Sequence, residues 1–442
     1  MYKENNSNRS IVSHFHLLYF GGLIFGLLLM LMYSSNQILT GDQMQMLDKG
    51  YQGAYENTWL SYGNAASAVG NIPGSLSAYV IGFPLMLWDS SWAPMLFLLL
   101  LHLFSFLLLD SVIKKVFDQK IRLIFLVLYW LNPWFLFESL LYNPSYLFFF
   151  AALHFWSAFH LREKSSFIYS FLHLLSIGMA MQLHYSWPIL AVISTYLFYR
   201  NIIKINWLGI VSAAAVIFIS LVPYFQETFF NSDLVSHPGD KERDRYIGWG
   251  GVHVYPVFKA FLYWFRYASF LFTNKVVLGA NFEWVSSIES LQNIVMYLWR
   301  TIVFVIGGAS LWIVWKSNLY AWKQIRKQLF RTASKQTLTQ ENWLLFYTIG
   351  VLLGIFISAV LSPIVFSYWH LVIIFPFALF PLLLFLKHWL KTYSIALVKY
   401  LMLITLYFTF INLIAAHDSE KFSYKVDYVQ QTLKFKEQQP HR

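Results

Sequence analysis

Asp42 is the residue best placed to do chemistry in this 442-residue sequence. It opens a polar stretch, Thr40-Gly41-Asp42-Gln43, just after the apolar run His16–Tyr33. A carboxylate at the end of a first membrane span can take a proton from a substrate whose other half is lipid. An Asp at a helix start also serves as a plain cap. Glu138 is the second acid of interest, in Asn132-Pro133-Trp134-Phe135-Leu136-Phe137-Glu138, with Asn143-Pro144-Ser145 following. His184 and Tyr185 lie in a turn between two apolar runs, and Tyr368 and His370 open another run. Arg266 sits among aromatics in a long segment that also holds Arg243, Arg245 and His253. Ionisable groups at membrane depth cost roughly a few kcal/mol unless paired or hydrated, so each is a functional candidate.

Each candidate has a structural alternative. Asn143 before Pro144 suits a helix N-cap with proline at the first position. His184 and His370 could be neutral interfacial rings, and Glu138 a hydrated loop acid. Arg266 could extend to lipid headgroups. Asp48 and Glu56 fit the solvated face of an amphipathic helix, and Met44 and Met46 fit packing.

The elements that carry these residues are membrane helices. Hydrophobic residues make up 58% of the chain and charged residues 12%, more apolar surface than a soluble fold needs. The apolar stretches are long runs rather than the ~10-residue alternating segments of a barrel. The sequence therefore predicts an all-α, polytopic transmembrane bundle of about eleven spans, each near ~20 residues. They fall near His16–Ser34, Trp92–Leu109, Arg122–Leu136, Pro144–Leu161, Phe167–Gln182, Trp187–Tyr199, Trp207–Tyr224, Ile294–Trp315, Trp343–Leu361, Tyr368–Leu386 and Ile395–Ala415. Eighteen Trp and 28 Tyr fit interfacial belts.

The net charge is +11, which in a soluble chain would suggest nucleic acid. Here it gathers in short segments between runs: Lys114–Arg122, Arg162–Lys164, Arg200–Lys204, Lys316–Lys335 and Lys387–Lys391. All five share one side of the predicted topology, which the positive-inside rule makes cytoplasmic. No nucleic-acid partner is needed. The N-terminus then lies inside, the first run is a retained start-transfer helix, and the tail 417–442 lies outside. With no cysteine, disulfides and thiolate metal sites are excluded.

Residues 1–416 read as one transmembrane domain, with outer loops at 36–91 and 225–293. The segment Pro73–Trp88 is short for a span and predicts a juxtamembrane helix in the interface. Tyr255–Phe272 predicts another. No Walker loop, GxGxxG, HExxH or GxSxG is present, which argues against a cytosolic nucleotide-sugar enzyme.

In order and sidedness the chain resembles the bacterial GT-C glycosyltransferases of the protein O-mannosyltransferase and aminoarabinose-transferase type. Four features carry the resemblance over about Gly21–Leu386. They are Asp42 after the first run, Asn71-Ile72-Pro73-Gly74 leading into Leu76–Trp88, Glu138 with Tyr142-Asn143-Pro144-Ser145, and Ser367-Tyr368-Trp369-His370 with Pro376. Many relatives carry Asp-Glu where this chain has Asp42-Gln43, and an Arg where the late segment offers His370. Relatives often end in a soluble outer domain, whereas only a short tail follows here.

The resemblance implies a membrane glycosyltransferase that moves a sugar from a polyprenyl-phosphate-linked donor to a lipid, glycan or protein acceptor. It implies Asp42 and Glu138 as catalytic, and Asn143, His184, Tyr185, Arg266, Tyr368 and His370 as substrate-binding. Its expected place is the inner cell membrane, with the site facing the periplasm. The sequence leaves dependence on a divalent metal open. An O-antigen polymerase or ligase using Arg243, Arg245 and His253 is one alternative. A transporter of lipid-linked sugars is another, although the near absence of charge inside the spans argues against a polar path.

Overall fold

The computed structural model describes residues 14–35, 41–66, 70–230, 254–272, 282–329, 338–362, 366–392 and 397–416. Within them the chain is helical apart from one two-stranded hairpin and short connections. Among the described residues, seven helices are long and apolar enough to cross a membrane. Five are α1 (Phe15–Ser35), α4 (Trp92–Val116), α10 (Trp207–Phe230), α12 (Glu289–Leu329) and α13 (Gln340–Leu361). The other two are α14 (Phe375–Thr392) and α15 (Leu397–Ala416). The chain is a multi-pass membrane protein.

The other four predicted runs are also helical, but in shorter pieces. Arg122–Leu136 divides into α5 (Gln119–Phe125), a π turn at Leu126–Trp130 and α6 (Pro133–Phe137). The break has a local cause. Asn132 accepts the Trp134 N–H at 3.0 Å and caps α6, while Pro133, which has no N–H, takes the first helical position. Three further helices are α7 (Leu147–Leu161), α8 (Phe167–Met181) and α9 (Pro188–Tyr199). None exceeds 15 residues.

Both helices expected outside the spans are present: α3 (Leu76–Leu87) after the first span, and α11 (Val254–Tyr267). A third, α2 (Gly41–Tyr55), starts one residue before Asp42. Five of its seven buried positions, Gln43, Met46, Leu47, Gly50 and Tyr51, repeat at helical spacing and form one face. That face packs on α3, where a Cβ on Gly82 would meet the Gly50 carbonyl at 2.8 Å. Only glycine allows so close a crossing.

One short hairpin interrupts the otherwise helical chain. Antiparallel β1 (Tyr62–Ala66) and β2 (Gly70–Pro73) pair Tyr62 with Pro73 and Ala65 with Asn71, with an irregularity between. It is strapped to α2 at three places. Asn64 Nδ2 donates to the Asp42 carbonyl at 2.8 Å, the Ala65 N–H donates to Gln45 Oε1 at 2.7 Å, and Lys49 Nζ donates to the Gly63 carbonyl. Helix α2 is thus held along its length, with Asp42 at its fixed end.

The basic segments meet at the other end of the bundle. Lys115 Nζ lies 3.4 Å from His160 Nε2, Lys204 Nζ donates to the Glu163 carbonyl at 2.9 Å, and Arg200 Nη2 donates to the Leu329 carbonyl at 3.0 Å. Lys387 binds Glu341 and lies over the Phe117 ring. These contacts tie all five basic segments into one end. Arg243, Arg245, His253 and the tail 417–442 lie outside the described residues.

Candidate functional site

The site grows out of the segment 132–146. After α6 ends at Glu138, the chain runs buried and non-helical to a 3-10 turn at Asn143–Tyr146. Ser145 Oγ donates to Glu138 Oε2 at 2.9 Å, and His102 Nε2 reaches the Ser145 carbonyl at 2.9 Å. Glu138 is 1% exposed, so it is not the hydrated loop acid that sequence alone allows.

Asp42 stands in the first turn of α2, where the helix dipole favours a negative charge. Burial raises its pKa above the usual carboxylate range, and a hydrogen bond from the Tyr142 hydroxyl opposes the rise. Tyr142 is held well above the usual phenol range, first by burial and then by the charges of Asp42 and Glu138. One phenol therefore stands between the two carboxyls that the sequence singles out. Glu138 acts in the same way on Tyr267 and Tyr368. The Tyr267 hydroxyl donates to the Tyr368 carbonyl at 2.6 Å, and both rings pack on Trp134, at 5.0 and 5.6 Å.

Asn143 does not cap its turn. Its Nδ2 donates to the Leu183 carbonyl at 2.8 Å, while its Oδ1 is buried without a hydrogen-bond partner. The bond joins the Asp42–Tyr142 group to the turn that holds His184. There the His184 and His370 rings lie with centroids 5.4 Å apart, tilted by 50°. The Ser186 N–H donates to His184 Nδ1 at 3.2 Å, and the Ser367 N–H donates to His370 Nδ1 at 2.9 Å.

Burial pushes His184 well below the usual imidazole range, and His370 adds to the effect. His370 is pushed down to about 4, mainly by burial, with the Ser367 backbone opposing and Lys259 reinforcing. Both rings are uncharged near neutral pH.

Arg266 is fixed to the protein itself. Its Nε and Nη2 donate to the Leu271 and Phe272 carbonyls at 3.2 and 2.8 Å, and its guanidinium lies over Tyr263 and Trp134. Tyr185 is exposed, with its hydroxyl donating to the Asn71 carbonyl on the hairpin at 3.1 Å. The structure therefore forms two linked groups. Asp42, Glu138 and Tyr368 gather around Tyr142, and His184 and His370 pair beside Asn143. Arg266 and Tyr185 sit at the edges.

Sequence analysis quoted Tyr142 within a motif but gave it no role, and it did not single out Lys49. Lys49 is buried two turns after Asp42, over the Tyr62 ring at 4.8 Å, and burial lowers it to about 8. Spacing could have flagged it, because positions i and i+7 share a helix face. No group of three or more His, Cys, Asp or Glu side chains that could hold a metal occurs among the described residues.

No family model matches the chain, and no curated protein matches it. Among solved structures, it is similar to ArnT from Cupriavidus metallidurans bound to undecaprenyl phosphate, at 10% identity and a TM-score of 0.47. That match covers 83% of this chain and 59% of the other, so the chain spans about three-fifths of that protein's length. It is also similar to the apo form of ArnT, at 10% identity and a TM-score of 0.42, over 97% of this chain and 78% of the other.

Proposed function

We propose that this chain is a membrane glycosyltransferase that moves a sugar from a polyprenyl-phosphate-linked donor to a hydroxyl- or amine-bearing acceptor. The observation that carries the reading is the Asp42 carboxyl. It stands at the head of α2, is hydrogen-bonded by Tyr142 and raised by burial, and has no cation to neutralise it among the described residues. A carboxylate whose pKa is raised toward the working pH is a better general base than an ordinary one.

In the reaction Asp42 takes the proton of the acceptor hydroxyl. The acceptor oxygen forms a bond to the anomeric carbon, and the bond from that carbon to the phosphate oxygen breaks. The phosphate leaves with the electron pair, still attached to its prenyl chain. Tyr142 orients the Asp42 carboxylate through its O–H. Glu138, buried and acting on Tyr142 through its charge, works through that phenol as a positioning residue. The prenyl chain lies against the apolar helices, and its burial, at about 0.8 kcal/mol per CH₂, anchors the donor without discriminating it. Selectivity then belongs to the polar end.

The meeting of the five basic segments supports a site at the outer face, since that charge belongs on the cytoplasmic side. Cysteine labelling tests this, with Lys327→Cys expected to react only from inside and Asn57→Cys only from outside. Labelling of position 327 from outside overturns the orientation. For activity, lipid and glycan profiles are compared between cells lacking the chain and cells carrying the wild type or Asp42→Asn. A sugar addition that depends on the wild type and is lost in Asp42→Asn is the expected result. Its persistence in the variant overturns the assignment of Asp42.

A further inference from the structure

Four cations at the basic end of the bundle have an oxygen partner. Arg122 is bound to the Asp110 carboxylate, Lys387 to Glu341, and Lys204 and Arg200 to backbone carbonyls. Lys115, in the last turn of α4, differs. Its hydrogen bond goes to His160 Nε2, at 3.4 Å, and no carboxylate lies within ion-pair distance of it among the described residues. An ammonium can only donate, so the imidazole accepts and is itself uncharged. The ring therefore holds the ammonium in place without cancelling its charge, and leaves it two N–H groups. Glu163, the acid of the adjoining turn, is taken by Arg162, whose guanidinium lies over Phe159 at 4.3 Å.

His160 is also one corner of a triangle of rings. Trp156, one turn earlier on α7, lies 4.8 Å from it, and Tyr169 of α8 meets it edge-on at 4.5 Å. The Trp156 and Tyr169 rings are 5.1 Å apart. All three side chains are half-buried, and Phe167 and Ile168, in the same turn of α8 as Tyr169, are exposed. The Trp156 indole N–H and the Tyr169 hydroxyl make no hydrogen bond among the described residues. Deeper along the same two helices, His154 and His173 stack at 4.1 Å, and each of their ring nitrogens has a partner, Ser194 Oγ serving both. That pair is a joint inside the bundle, whereas the group at His160 opens outward.

The open group lies at one level, because α4 ends at Val116, α7 ends at Leu161 and α8 begins at Phe167. Rings with an apolar body and a free polar tip suit the headgroup layer of a bilayer. A basic pocket between helices at that level suits an anionic headgroup.

We propose that Lys115, His160, Trp156 and Tyr169 form a binding site for the phosphodiester headgroup of an anionic phospholipid, at the opposite end of the bundle from Asp42. The Lys115 ammonium donates to a phosphate oxygen, with His160 holding it in position. Trp156 and Tyr169 donate to the ester oxygens below, and the acyl chains run along Phe167 and Ile168. A zwitterionic lipid carries its own cation beside the phosphate, so the site prefers a lipid without one. The site does not depend on the reading of Asp42.

The test is native mass spectrometry of the full chain in a neutral detergent, with phosphatidylglycerol, phosphatidylcholine and inorganic phosphate as separate probes. The first phosphatidylglycerol should bind the wild type about tenfold more tightly than phosphatidylcholine, the scale of a charge-assisted hydrogen bond. Lys115→Gln should remove that preference, and Lys115→Arg should keep it to within about threefold. Lys114→Gln changes an equally exposed lysine on another face of α4, and should leave the preference within about twofold of wild type. Melting curves matched to wild type establish folding. If Lys115→Gln melts early, Lys115→Met, which keeps an apolar stem beside Phe159, carries the comparison.

Equal losses in Lys114→Gln and Lys115→Gln mean diffuse attraction by the basic end and overturn the site. A wild type without preference for phosphatidylglycerol also overturns it. Inorganic phosphate that binds as tightly as phosphatidylglycerol, and is lost in Lys115→Gln, overturns the lipid as the occupant and makes the site one for a free anion.

Discussion

Asp110 and Asp42 each accept an O–H from a tyrosine, and they do opposite things. Tyr19 donates to Asp110 at 2.6 Å, and Arg122 grips the same carboxylate with Nε at 3.0 Å and Nη2 at 2.5 Å. The guanidinium also lies 5.0 Å above the Phe15 and Tyr19 rings. That cluster clamps α1, α4 and α5 together at the basic end. At the other end Tyr142 holds Asp42 with no arginine on the carboxyl among the described residues, and the charge of a second acid, Glu138, also acts on the phenol. A carboxylate closed by a cation is a joint, whereas one held only by a phenol still has lone pairs to offer a substrate. The difference lies in the third partner, not in the Tyr–Asp pair.

The largest effect expected from breaking this contrast is on turnover. Asp42→Asn should lower it by about 10²–10⁴-fold, the usual scale of general-base catalysis, with an unchanged melting curve. Purified variant keeping half of wild-type turnover would remove Asp42 from the chemistry. Arg122→Gln should do the reverse. Leaving Asp110 buried without its cation costs about 3 kcal/mol of stability, seen in thermal unfolding, while donor binding by the folded fraction is unchanged.

Tyr142→Phe is the next test in size. Its hydroxyl stabilises the Asp42 carboxylate, so its loss moves the Asp42 pKa upward. A base that must be ionised then fails at a higher pH, and the acid limb of the pH–rate profile shifts up by about one unit or less. A downward shift, or none, would detach Tyr142 from Asp42. The smallest effect separates the histidine pairs. Ser194→Ala, which takes one partner from both His154 and His173, should cost about 1–2 kcal/mol of stability while turnover by the folded fraction is unchanged.

Much of the frame was legible in the sequence, because apolar length and charge grouping are one-dimensional signals. All eleven runs proved helical, Asp42 fell at a helix head, and the five basic segments met at one end. The hairpin was not legible. Tyr-Gly-Asn-Ala-Ala has weak strand preference, and its stability comes from α2 through Asn64 and Gln45. Tyr142 was one of 28 tyrosines, and its role depends on two acids that are 96 positions apart (138 − 42). Pairings of this kind belong to the packing of the bundle rather than to any local pattern.

Helix α12 gives the molecule a mast. Its 41 residues make a rod of about 60 Å at 1.5 Å per residue, twice the ~30 Å of a hydrocarbon slab. Even at the steep end of observed tilts, about 40°, some fifteen residues stand clear of the lipid. That overhang is braced rather than loose. The buried stripe Val303, Gly307, Ser310, Val314, Ser317, Ala321 and Ile325 runs almost to the tip at Leu329, where Arg200 grips the last carbonyl. A small rigid domain fused in register to such a rod would turn with the bundle, giving image alignment a landmark that a protein hidden in its lipid belt otherwise lacks.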